Sequence, residues 1–107
     1  MKYQRVQNLI FSIGISPRHK GFYYLSFIVF LIISNIESGF INNEVHIYNM
    51  AVSIMGDNAK QVSRCICYAI GAAWRDKDSV IHELFPGITP PTPIELVCKI
   101  AWNYDRL

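Results

Sequence analysis

A chain of 107 residues is the size of one domain, large enough to bury a single core without metal or disulfide staples. Apolar residues make up 51% of it and charged residues only 17%, which excludes a disordered chain. A net charge of +2 excludes a strongly basic nucleic-acid coat, so any polyanion-binding role needs locally concentrated charge.

In chain order, Val6, Leu9, Ile10 and Ile13 recur at helical spacing, and Gly14 is placed to end that helix in a left-handed cap. Ser16-Pro17 reads as an N-cap followed by an N1 proline, opening a long helix that Gly39 stops near Ser38. Within it, "FYYLSFIVFLII" (22–33) is almost wholly apolar. Twelve helical residues rise about 18 Å, short of the roughly 30 Å hydrocarbon layer, and no A-x-A cleavage site follows. A helix buried on most sides is the expectation; an interfacial anchor is the alternative.

A third helix is expected over 43–55 with Ile47, Met50, Ala51 and Ile54 on its buried face, ended by Gly56. Asn58 then reads as an N-cap with Gln61 completing a capping box, and the helix it opens runs to about Arg75. A short helix is expected over 79–85. The last begins with Thr92 as N-cap, Pro93 at N1 and Glu95 at N3, burying Ile94, Val97, Cys98 and Ala101. Strand signals are weak throughout, so the expected fold is all-α, a bundle of about six helices in one domain spanning 1–107.

The chemistry-bearing side chains exclude as much as they suggest. Cys65, Cys67 and Cys98 show no C-x-x-C spacing, and His19, His46 and His82 share no metal spacing with them, so reduced thiols and no metal or cofactor are expected. No Ser/His/Asp ordering, phosphate loop or nucleophile elbow is present, so an enzyme is not expected. Cys67 reads as an inert, partly exposed thiol.

The segment over 60–75 is more informative. On a helical wheel Val62, Ile66, Ala69, Ile70 and Ala73 fall together, while Lys60, Arg64, Cys67, Tyr68, Gly71 and Arg75 centre on the other side, flanked by Gln61 and Ser63. Preceded by a helix and a glycine turn, this is the layout of a helix-turn-helix over about 43–75. It is equally the layout of an ordinary helical pair.

"VSRCICYAIGAAW" (62–74) resembles the recognition helix of the C-terminal effector domain of the sporulation master response regulator, the stage 0 sporulation protein A family. Val62, Arg64, Ile66, Ala69, Ile70, Ala73 and Trp74 match that family's pattern without a gap. "IGISPRHKGFYYL" (13–25) is similar to its Gly-hydrophobic-Pro and Lys-Gly-Tyr-x-Tyr-Leu segment, and "PTPIELV" (91–97) to the start of its last helix. The resemblance runs from about Ile10 to the C-terminus. It implies a six-helix, cytoplasmic, DNA-binding transcriptional regulator of spore-forming Gram-positive bacteria, without the family's receiver domain and docking on paired or tandem sites.

Core positions of that helix match the family while its reading positions have changed. The family's first arginine is Gln61 here, its acidic residue Ser63, its third arginine Cys67 and its histidine Tyr68; Arg64 is kept. The resemblance therefore assigns base readout to Lys60, Gln61 and Arg64, with Ser63, Tyr68 and Arg75 contributing and Lys20 and Lys77 on phosphates. Losing two or three cationic contacts weakens binding by about 10² to 10⁵ unless compensated, so weakened or retuned binding to double-stranded DNA is expected. The alternative is an interaction module that kept the fold, lost DNA readout and pairs with itself or with a related regulator.

Overall fold

The computed structural model describes residues 3–37, 44–54, 56 and 58–104, and among these all regular structure is helical. Six helices follow in order: α1 (Tyr3–Ile13), α2 (Lys20–Glu37), α3 (Glu44–Ile54), α4 (Ala59–Arg75), α5 (Ile81–Leu84) and α6 (Pro93–Trp102).

The near-continuous apolar run fills the middle of the molecule. α2 packs against α1, α3, α4 and α6, which explains why hydrophobicity persists around nearly all of its circumference. Leu25, Ile28, Val29 and Ile32 are fully buried in it. Its polar residues are accommodated by bonding back along the helix: the Ser26 hydroxyl donates to the Phe22 carbonyl at 2.8 Å, and Asn35 Nδ2 to the Leu31 carbonyl at 2.8 Å. No helix among the described residues is long and apolar enough to cross a membrane.

Two glycines fix how the helices meet. Gly14 ends α1 with φ +114°, a conformation that side chains rarely adopt, and leaves room for Ser79. The buried Ser79 hydroxyl donates to the Ile13 carbonyl at 2.8 Å, capping α1 from a loop 66 residues away. Gly21, at the start of α2, lies against the α4 backbone. A Cβ there would stand 2.7 Å from the Cys65 carbonyl carbon and 2.9 Å from the Ile66 Cα, and closer still to the Cys65 oxygen.

Several expected boundaries and faces are corrected. α2 begins at Lys20, not at Pro17. Ser16 closes a turn, its hydroxyl accepting the Arg18 amide and its carbonyl the His19 amide, so the chain turns once more before the helix starts. Asn58 does cap α4, but its Oδ1 accepts from the Lys60 amide at 2.8 Å, at N2, and Gln61 is left exposed instead of closing a capping box. α5 covers four residues instead of seven.

α3 buries Tyr48, Ala51 and Val52, while Met50 and Ile54 are exposed; the Ile47 side chain lies outside the described residues. Apolar residues occur nearly all round this helix, so periodicity alone selects no face. In α6, Leu96, Val97, Ile100 and Ala101 are buried, with Ile94 and Cys98 only half-buried. There Glu95, Lys99 and Trp102, spaced at i, i+4 and i+7, mark the outer face more clearly than the apolar residues mark the inner one. The α6 start is as expected: Thr92 Oγ1 accepts the Glu95 amide and Glu95 Oε1 the Thr92 amide.

Candidate functional site

The two-sided character of α4 carries through to the structure. Val62, Ile66, Ala69, Ile70 and Ala73 are buried against the rest of the bundle. Lys60, Gln61, Arg64, Cys67, Tyr68 and Arg75 are exposed. No aspartate or glutamate occurs in the helix, so its outer face carries positive charge with no acid of its own.

Lys60, Gln61 and Arg64 share one groove with Asn58 and Cys65 at the α4 N-terminal end. Farther along, the Arg75 guanidinium folds back toward Gly71, its Nη1 3.7 Å from where a Cβ on that glycine would lie. Arg75 thus returns its charge to the face that Arg64 occupies three turns earlier.

The close crossing at Gly21 adds a second element to this face. It brings the start of α2 against the middle of α4, where Arg18, His19 and Lys20 border a cleft with Arg64, Cys65 and Tyr68. The His19 and Tyr68 rings meet edge to face, with centroids 5.2 Å apart and planes at 76°. Lys20, assigned to a phosphate from the sequence, thus borders the same cleft as Arg64. Arg18 and His19 join them too and were absent from the sequence assignment. The available signal was Gly21, since a glycine in an otherwise apolar helix marks close backbone approach.

Two assigned residues fall outside this grouping. Ser63 is half-buried and hydrogen-bonds the Tyr48 hydroxyl of α3, which turns it toward the neighbouring helix. Burial pushes the Tyr48 phenol above its usual range; the Ser63 bond opposes that shift and the nearby Cys67 thiol adds to it. Lys77 lies in the turn after α4, between Asp76 and Asp78, about 25 Å of helix from Lys60.

The end of α4 is held by a contact that residue spacing alone does not foretell. His82 Nε2 donates toward the Trp74 carbonyl at 2.9 Å and the Asp76 carbonyl at 3.1 Å, and its ring lies 4.3 Å from that of Trp74. With two carbonyls to satisfy, that nitrogen carries the proton. His82 is therefore a helix-end clamp. Among the described residues no group of three or more His, Cys, Asp or Glu side chains could hold a metal ion.

The chain matches no protein-family model and no curated protein sequence.

Proposed function

We propose that this chain is a sequence-specific DNA-binding transcriptional regulator of the cytoplasm, its α3–α4 pair acting as a helix-turn-helix like that of the sporulation-regulator effector family. The observation that carries the proposal is the outer face of α4. It presents Lys60, Gln61, Arg64, Tyr68 and Arg75 together, without an acid, opposite a face that is entirely core.

A helix so presented fits the roughly 12 Å major groove, where Arg64 can grip guanine O6 and N7 and Gln61 can pair with adenine. Lys60 and Arg75 extend the charge along the helix, and Lys20 reaches the flanking strand from the start of α2. With Ser63 engaged by Tyr48, cytosine readout at that position is lost, so the site preference differs from the family's. Titrating fluorescent duplexes and a random-sequence pool at about 50 and 200 mM salt tests the reading. The expected result is saturable, salt-sensitive enrichment of one sequence that Arg64→Ala abolishes; no binding even at low salt removes the proposal.

A second reading rests on α3. The helix that would brace the DNA contact exposes Met50 and Ile54, at 40% and 61% of their surface, and has no lysine or arginine. Apolar exposure there favours a protein partner, a second copy or a related regulator, in place of a phosphate strand. Partner binding that survives Arg64→Ala, in a protein without DNA affinity, establishes this alternative.

A further inference from the structure

The cleft between the start of α2 and the middle of α4 has features that reading base edges does not require. Its volume is about 340 Å³, within the size range of small-ligand sites. Arg18 from the turn before α2, Lys20 at the start of α2 and Arg64 of α4 border it together, and among the described residues no acidic side chain lines it. Like charges brought together without a counter-charge repel one another, an arrangement that an anion relieves. Its remaining wall is the His19–Tyr68 ring pair with the half-buried Cys65, an apolar surface suited to a sugar or a base.

We propose that this cleft binds the phosphoryl group of a nucleotide unit. Arg18, Lys20 and Arg64 take the phosphate oxygens, and the Tyr68 ring, held edge-on by His19, packs against the attached nucleoside. Arginine suits this task because its planar fork meets two phosphate oxygens at once. The unit has two possible sources, a free mononucleotide or the backbone of a bound strand. The chemistry is the same for both. The site shares Lys20, Arg64 and Tyr68 with the proposed DNA face and in that respect rests on the regulator reading, whereas Arg18 and His19 have no part in the proposed base contacts.

The test uses the full chain and its Arg18→Gln variant, whose exposed position leaves the fold intact, as circular dichroism would verify. Adenosine monophosphate and inorganic phosphate are titrated while amide shifts of residues 18–21 and 64–68 are followed. Saturable shifts with adenosine monophosphate, weaker ones with phosphate alone, and about a tenfold loss of affinity in Arg18→Gln are expected. Absence of saturation, or a variant that behaves as the parent does, overturns the inference.

A duplex arm separates the sources. Displacement of duplex by the nucleotide, with Arg18→Gln weakening both, assigns the cleft to a strand phosphate; unchanged duplex affinity assigns it to a free nucleotide. Duplex binding that depends on Arg64, in a protein that ignores adenosine monophosphate, overturns the cleft and leaves the regulator reading standing. Nucleotide binding without duplex binding does the reverse.

Discussion

At Gly21 the atoms that a methyl group would strike belong to the backbone of Cys65 and Ile66, and backbone inside a helix cannot swing aside as a side-chain tip can. Gly21→Ala must therefore push α2 and α4 apart. Overpacking of this kind costs about 1–3 kcal/mol, and the expected outcome is a lower urea midpoint with an unchanged slope. A midpoint equal to the parent's would show that the two helices slide freely past each other. Ser79 makes a complementary case. Its buried hydroxyl is a donor to the Ile13 carbonyl, and Ser79→Ala leaves that carbonyl without it. The expected loss is about 1–3 kcal/mol in chemical denaturation, against almost none for the exposed Ser12→Ala.

Among the helices, the start of α6 is where local chemistry and structure agree most closely, and it gives a pH prediction. The Glu95 carboxylate accepts from the Thr92 amide and interacts with the Thr92 hydroxyl, and these bonds hold its pKa below the ordinary 4.5. A carboxyl depressed in the folded state adds stability that is present above its unfolded pKa and lost as pH falls through the folded value. The thermal midpoint should therefore drop on acidification through the carboxylate range, and Glu95→Gln, which cannot titrate, should flatten that part of the curve. An identical acid limb in the variant would remove Glu95 as its source. This start was legible because Thr92, Pro93 and Glu95 are local and each bonds within one turn. The start of α2 was not, although Ser16-Pro17 looks like the same signal. There the Ser16 hydroxyl closes a turn with Arg18, and the helix begins where Gly21 can meet α4, a requirement set by residues more than forty positions away. The α3 face was illegible for a third reason: its apolar residues surround the helix, and a hydroxyl partner on α4 allows Tyr48 to turn inward.

Over the whole molecule, the net charge of +2 conceals an uneven distribution. Of ten lysines and arginines, Lys60, Arg64 and Arg75 belong to α4 and Arg18 and Lys20 to the turn before α2 and to its first residue, and Arg5 is spent over the Tyr104 ring at 4.7 Å. The acids whose side chains are described, Asp76, Asp78, Glu83 and Glu95, all follow α4 in the chain. The α4 part of this site was legible from the wheel alone, because one helix sets its own faces. The α2 part needed the tertiary crossing, which is why Lys20 was assigned without its neighbours Arg18 and His19. This geometry makes a statement about salt that composition cannot. If four of the clustered cations neutralise strand phosphates, log K should fall with log salt at a slope of about −3 to −4. Lys20→Gln should then reduce the slope by roughly 0.9, one phosphate's worth. Lys77→Gln, in a turn flanked by Asp76 and Asp78, should leave it nearly unchanged. Both variants keep the outer face of α4 intact, so the comparison isolates position from charge. Equal slopes for the two would mean that any bound strand follows net charge alone, and the crossing at Gly21 would then have no bearing on the proposed DNA contact.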